Sequence, residues 1–352
     1  MVTLIKKINL RSRTYFIADI AANHDGSLKR AKKLIKLAAK AGANAAKFQH
    51  FKAPTIVSQK GFNQLGKISH QSKWKKSVFQ VYQEASLNPS WTKELYKECK
   101  KNKIEFMTAP YDLDYVNSVS KYVSAYKIGS GDLTWHKIIK LISKKKKPVI
   151  LATGASEINE VKKSVNLILK NCKKLILMQC NTNYTYEEDN FKSINLNVLK
   201  EYKKIFKKKV ILGLSDHTEG HSTVLGAITL GARVIEKHFT DDNLRPGPDH
   251  KFSMNFKTWK NMVEESRRLE LSLGDGKKKI EKNEKQTAIV QRRAYYALKQ
   301  IKKGEKILDK FIFPLRPRLI NSFSPDQEKK IIGKIAKKNI NLGECIKKNQ
   351  IK

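Results

Sequence analysis

At 352 residues with 40% hydrophobic content, the chain can form one domain of roughly 250 residues plus a small second one. No apolar run approaches the ~20 residues that span a bilayer, which excludes a helical membrane protein. The formal net charge is +40, but 61 lysines stand against 11 arginines; nucleic-acid grooves favour Arg forks and interleaved aromatics, so the charge reads as solvated lysine faces that attract small anions, with no nucleic-acid partner.

The basic N-terminus, Met1 to Arg13, leads straight into Tyr15-Phe16-Ile17-Ala18 without an apolar h-region, which predicts no secretory signal. Four scattered cysteines, Cys99, Cys172, Cys180 and Cys345, form no C-x-x-C pair. That argues against a disulfide framework and a structural zinc, and for a reduced, cytoplasmic protein.

Short β-branched runs then alternate with amphipathic stretches. Strands are predicted at Phe16–Ile20, Ala45–Phe48, Ile104–Thr108, Ala125–Gly129, Val149–Thr153, Leu175–Cys180, Val210–Ser215 and Arg233–Phe239. Between the first two, Ser27 can cap a helix whose apolar stripe is Leu28, Ala31, Ile35 and Ala38, and Gly42 ends it. Val161–Leu169 and Thr223–Leu230 read likewise. Strand–helix alternation forces parallel pairing, and eight such units close into an α/β (β/α)8 TIM barrel. No G-x-G-x-x-G follows the first strand to support an open dinucleotide-binding sheet. The expected organisation is a barrel over 1–276, a charged linker over 277–290 and a small, mostly β domain over 291–352.

A barrel of this kind places its site at the C-terminal strand ends, where polar residues cluster here. His217 and His238 close adjacent strands, so their imidazoles can converge on Mn, Zn, Fe, Co or Ni; the alternative is two hydrogen-bonded rim histidines. Asp216 and Glu236 can orient them or pair inside the barrel. Lys47 and Lys127, at the ends of strands two and four, suit a phosphate and a carboxylate on one small anion, with help from Ser130 and Thr108. They equally suit a Schiff base or an ion pair with Asp19 or Asp132. Arg245-Pro246-Gly247-Pro248-Asp249-His250 is a stiff loop that can hold a carboxylate or simply turn. His24, His221 and His250 are weaker metal candidates, and His50, His70 and His136 are expected at the surface.

Six motifs in order resemble the sialic acid (N-acetylneuraminate) synthases, including the legionaminic and pseudaminic acid synthases. They are Asn23-His24-Asp25-Gly26, Ala46-Lys47-Phe48-Gln49, Tyr126–Gly131, Gly213–Thr218, Glu236–Thr240 and Pro246–Asp249. The tail, with Lys302-Lys303-Gly304-Glu305 and Leu315-Arg316-Pro317, is similar to the antifreeze-like (SAF) domain that these enzymes append. The resemblance implies a divalent metal, Mn²⁺ with Mg²⁺ or Co²⁺ as alternatives, held by His217 and His238. It implies that Lys47, Lys127, Ser130 and Thr108 hold phosphoenolpyruvate, with Tyr184 lining the pocket. Asp25 would orient the sugar or the water, and Asp249 would contact an N-acetylated amino sugar. Gln49, Asp132, Thr182 and Ser215 would complete the substrate contacts. Arg316 would reach the partner's sugar site in a domain-swapped homodimer.

The chain departs from the commonest family pattern at several places. Asp25 and Asp132 stand where Glu is frequent, and Ala152 where a phosphate-contacting Ser is often found. No Pro follows Tyr184, which leaves the sugar open between N-acetylmannosamine and diacetylated 6-deoxy analogues. Two other readings use the same residues: a Schiff-base aldolase on this barrel, and a non-enzymatic basic carbohydrate- or nucleic-acid-binding protein.

Overall fold

Eight short runs of apolar and β-branched residues form the strands of the computed structural model, which describes residues 4–66, 71, 74–184 and 187–352. The strands are β1 (Tyr15–Asp19), β2 (Ala45–His50), β3 (Glu105–Pro110), β4 (Tyr126–Ile128), β5 (Val149–Ala152), β6 (Leu175–Cys180), β7 (Ile211–Asp216) and β8 (Val234–His238). Each pairs in parallel with the next, and β8 returns to β1 to close the barrel. All eight predicted strands are present, within one or two residues at their ends. Helix Leu28–Lys40 starts where Ser27 accepts a bond from the Arg30 amide, and buries Ala31, Leu34, Ile35 and Ala38. Gly42, at φ +93°, takes the left-handed conformation that lets the chain leave the helix. The long interval between β2 and β3 holds helices Ala53–Ile56, Gln59–Leu65, Val78–Ala85 and Thr92–Lys101; His70 lies there, outside the described residues.

Successive side chains on a strand face opposite sides, and this alternation sorts the barrel into two buried sets. Phe16, Ala18, Phe48, Phe106, Ile128, Leu151, Leu177, Leu214 and Ile235 face outward and pack on the helices. Tyr15, Ile17, Ala45, Met107, Ala125, Ile150, Ile176, Met178, Ile211 and Val234 fill the inside, and Ile5 and Ile8 join them. Two residues further along four of these strands, the inward positions are charged: Asp19, Lys47, Lys127 and Glu236. An apolar floor therefore carries a polar layer directly above it.

The chain divides into two compact units, Met1–Gly274 and Asp275–Lys352. In the second, the stretch expected as linker carries a short helix, Lys285–Val290. Beyond it β9 (Ala294–Ala297) pairs antiparallel with β10 (Ile312–Leu315). Single bridges such as Ile301 to Ile340 and Ala336 to Ile351 replace longer ladders. Its core is built largely of isoleucines, including Ile301, Ile307, Ile331, Ile340 and Ile346. All four cysteines are free and buried, and no helix among the described residues is long and apolar enough to cross a membrane.

The inner wall leaves no room at Gly213, where a Cβ would sit 2.7 Å from the Val234 carbonyl oxygen and 2.9 Å from Met178 Cγ. Gly213→Ala is expected to destabilise the protein by about 1–3 kcal/mol through overpacking. A thermal-unfolding midpoint equal to wild type would show instead that the wall gives way without cost.

Candidate active site

The charged layer is an alternating quartet. Lys47 Nζ lies 2.7 Å from Asp19 Oδ2 and 3.5 Å from Glu236 Oε1, and Lys127 Nζ lies 2.7 Å from the same Glu236 oxygen. All four residues are buried, none more than 3% exposed. Ser215 Oγ adds a 3.3 Å bond to Glu236. Burial opposes the charge on Glu236, but Lys127 and Lys47 outweigh it and hold the carboxyl down at about 2. Burial likewise opposes the charge on Lys47, and Asp19 and Glu236 overcome it, raising that ammonium above its ordinary value. Both lysines are thus paired: Lys47 with Asp19, as one sequence reading allowed, and Lys127 with Glu236 rather than Asp132.

Above the quartet, His217 and His238 stand side by side with ring centroids 5.4 Å apart. The ring of Tyr184 lies 4.2 Å from His217, and Phe252 lies 4.8 Å from His238. Burial pushes both imidazoles down to about 3; for His217 the neighbouring His238 adds to this, and for His238 the charge on Lys47 does. Both are therefore neutral at physiological pH, the state that binds a metal. His217 Nδ1 donates to the Asn181 carbonyl at 2.8 Å, which fixes its ring and leaves Nε2 available. Among the described residues, His238 Nδ1 and Glu236 Oε2 are buried without a hydrogen-bond partner, so the chain leaves polar valences open here. The donor set fits a divalent ion held by these two imidazoles. No group of three or more His, Cys, Asp or Glu side chains among the described residues offers a fuller ligand set, so water or substrate would supply the other positions.

On the opposite wall, Ser130 Oγ accepts from the Gly154 amide at 2.9 Å. A Cβ at Gly154 would collide with Thr182 Cγ2 at 2.5 Å and approach Cys180 Sγ at 3.3 Å. Cys180 also lies beside the Ser130 and Ser215 hydroxyls and near Lys127. Lys127, Ser130, Cys180, Thr182 and Ser215 therefore form one polar wall. Gln49 Nε2 reaches Asp19 at 3.4 Å. Asp132 has no side-chain hydrogen bond among the described residues, and burial raises it to about 6. The Tyr111 ring packs on Gly129, where a Cβ would meet its hydroxyl at 2.8 Å.

Asp249 Oδ2 accepts from the Ala22 amide at 3.0 Å and lies 3.9 Å from His238 Nδ1. Asp25, at φ +49°, is bound on both oxygens: His250 Nε2 reaches Oδ1 at 2.8 Å, while Arg245 and Arg30 reach Oδ2 at 2.8 and 3.0 Å. It borders a cleft of about 610 Å³ whose walls include Trp74, Val81, Arg245 and Pro246 to Pro248.

Several expectations are corrected. Thr108 faces away from the mouth: its hydroxyl donates to the Phe48 carbonyl at 2.9 Å and lies 2.7 Å from His50 Nδ1. The register explains this, because Phe48 pairs with Thr108 while inward Lys47 pairs with Met107. The inward position at that level is Ala109, whose side chain has no donor. His50 is buried between Thr108 and Thr92, not at the surface. His24 and His250 are also buried and engaged elsewhere, His24 with the Gly26 amide and His250 between Thr240 and Asp25. Arg316 is an exposed residue of the second unit. The sequence reading gave Asp19 only as an ion-pair partner and did not assign Tyr111 or Phe252. Every-second-residue spacing from Tyr15 and Ile17 would have exposed Asp19, whereas Phe252 sits in a loop with no periodic signal.

The chain matches known proteins along nearly all of its length. The NeuB family model matches residues 34–278 and the SAF domain model residues 292–352. The N,N'-diacetyllegionaminic acid synthase of Campylobacter jejuni is 36% identical over 342 residues, covering 95% of this chain and 99% of that protein. A pseudaminic acid synthase of the same species is 32% identical, covering 97% and 98%. The crystal structure of the sialic acid synthetase of Leptospira borgpetersenii in complex with citrate superposes with a TM-score of 0.69 at 27% identity, covering 79% of this chain and 90% of that one. With its strand-end motifs gathered at one barrel mouth and a SAF domain following in sequence, the chain belongs to the NeuB family.

Proposed function

We propose that the protein condenses phosphoenolpyruvate with the open-chain aldehyde of an N-acetylated amino sugar, giving a nine-carbon 2-keto sugar acid and phosphate. The observation that carries this reading is the pair of buried lysines set beneath two neutral, adjacent histidines, in a chain whose named relatives are synthases of such acids. The 36% identical relative makes a diacetylated acid, which ranks a diacetylated 6-deoxy sugar ahead of N-acetylmannosamine.

The ammonium groups of Lys47 and Lys127 receive the phosphate and carboxylate, competing with Asp19 and Glu236 for them, and Ser130, Thr182 and Ser215 add hydroxyl contacts. Gln49, Tyr184 and Asp249 face the sugar. Asp25, held by His250 and two arginines, shapes the cleft that takes the sugar's far end. A divalent ion on His217 and His238, Mn²⁺ with Mg²⁺ or Co²⁺ as alternatives, would supply Lewis-acid polarisation of the aldehyde oxygen. C3 of phosphoenolpyruvate bonds to the aldehyde carbon as the carbonyl π pair moves onto the aldehyde oxygen; water adds at C2, its two protons going to that oxygen and to phosphate, and loss of phosphate breaks the C2–O bond and leaves the keto group. Asp132, without a side-chain hydrogen bond among the described residues and raised by burial, would orient that water. A lysine Schiff base needs a free amine whose pKa is lowered, whereas Lys47 is raised and Lys127 is held by Glu236 at 2.7 Å, so borohydride is expected to trap no keto acid at either lysine.

The direct test is phosphate release from phosphoenolpyruvate with Mn²⁺ and a panel of 2-acetamido and 2,4-diacetamido sugars, with products identified by mass spectrometry. Sugar-dependent release is expected, reduced at least about 10³-fold in His217→Ala and His238→Ala. A folded protein with no affinity for phosphoenolpyruvate would sink the proposal.

The second unit exposes Arg316 together with Phe313, Leu319 and Ile320, the last 82% exposed, which supports a homodimer in which Arg316 of each copy serves the partner's sugar site. Mixing inactive Lys127→Ala with sugar-defective Arg316→Ala should then restore activity, because one hybrid site combines an intact barrel with an intact arginine. No recovery on mixing and reassembly would mean that each chain uses its own Arg316, or none.

Asp132 also predicts a pH signature. Its folded pKa of about 6 lies above the ordinary aspartate value of 3.8, so the folded state binds this proton more tightly than the unfolded one. The stability this lends is present at low pH and lost as pH rises through about 6. Asp132→Asn should therefore gain stability relative to wild type between pH 4 and pH 7.5, by up to about 3 kcal/mol. Parallel unfolding midpoints across that range would show that Asp132 titrates normally.

A further inference from the structure

The outer face of the barrel packs mostly apolar side chains such as Phe48, Ile128 and Leu151 against the helices, but between β7 and β8 it carries a charged pair. There Asp216 and Lys237 face each other, directly paired in the ladder, with Asp216 Oδ2 2.5 Å from Lys237 Nζ. Both are buried, at 3% and 1% exposure. Lys237 also donates to the Thr218 carbonyl at 2.6 Å. Asp216 accepts from the hydroxyls of Thr218 at 3.0 and 2.9 Å and of Thr223 at 2.8 Å. No step described above uses these groups.

Their place in the chain is the informative point. Asp216 immediately precedes His217 and Thr218 follows it, while Lys237 immediately precedes His238. The network therefore grips the backbone on both sides of one histidine and ties it to the residue before the other. Thr223, at the start of helix Ser222–Thr229, anchors it to the next element. A buried ion pair gains little stability over an apolar pair of similar volume, so stability alone is a weak reason for placing one here. Fixing two strand ends against each other is a better one, because metal affinity depends on how rigidly the ligands are held.

We propose that the Asp216–Lys237 pair, with Thr218 and Thr223, is a positioning element that sets the spacing of His217 and His238 and thereby the protein's affinity for a divalent metal. The inference rests on the metal reading given above.

Mn²⁺ binding to the metal-stripped full-length protein tests it, by calorimetry and by the electron paramagnetic resonance line shape of the bound ion. Asp216→Leu/Lys237→Met replaces the pair with apolar side chains. It should fold and bind phosphoenolpyruvate without metal as wild type does, yet bind Mn²⁺ about 10- to 100-fold more weakly, with a broadened spectrum. A folded double variant whose Mn²⁺ affinity lies within twofold of wild type overturns the proposal. Should the double variant not fold, Thr223→Val decides. This near-isosteric change should weaken Mn²⁺ about threefold or more in a protein that still folds, with a melting midpoint lowered only by the one lost hydrogen bond, and unchanged affinity overturns the proposal. Separately, wild-type Mn²⁺ binding insensitive to His217→Ala and His238→Ala would remove the metal assignment itself, and this inference with it.

Discussion

Two carboxylates and two ammonium groups share the inner wall of this barrel, almost fully out of water, and the rest of the site is arranged around keeping them paired. Asp19, Lys47, Glu236 and Lys127 alternate in sign, and Glu236 Oε1 lies near both lysines. A single unpaired charge at this depth would cost several kcal/mol or shift its protonation state. Alternation removes that cost and stores positive charge where an anion can claim it. The inside of the barrel is electrically balanced at this level, so the excess of +40 lies elsewhere, largely on solvated lysines.

The same burial that makes the quartet depend on pairing keeps the histidines above it neutral. An imidazolium beside Lys47 and Lys127 would add a third positive charge in a poorly solvated space, and both rings are held near 3 instead. Neutral rings, one fixed by the Asn181 carbonyl and the other with a buried nitrogen left open, suit metal binding. The outer pair of Asp216 and Lys237 holds the strand ends that carry them. Inner and outer charge pairs thus have different effects: one creates an electrostatic pocket, the other holds backbone positions.

Asp25 and Asp132 show how environment separates like residues. Asp25 is surrounded by Arg30, Arg245 and His250, and both of its oxygens are engaged. Asp132 has no such partner, and burial alone drives it upward. A carboxyl raised by burial, two residues from Ser130, is the kind of group that marks a candidate functional position.

The sequence by itself determined the strand set, because β-branched runs separated by capped amphipathic helices admit few other arrangements. It also placed Lys47, Lys127, His217 and His238 at strand ends, and family motifs supplied their order. Tertiary structure decided which of two neighbouring residues faces inward. Thr108 and Ala109 are equally plausible along the chain, but the β2–β3 register turns Thr108 toward His50 and the helices, leaving Ala109 at the mouth. It decided that Lys127 pairs with Glu236, more than 100 residues away, and that His50 is a core residue. Local patterning carries the period of a strand, whereas the partner of a buried charge is set by barrel closure, which brings β4 and β8 within reach of each other across the interior.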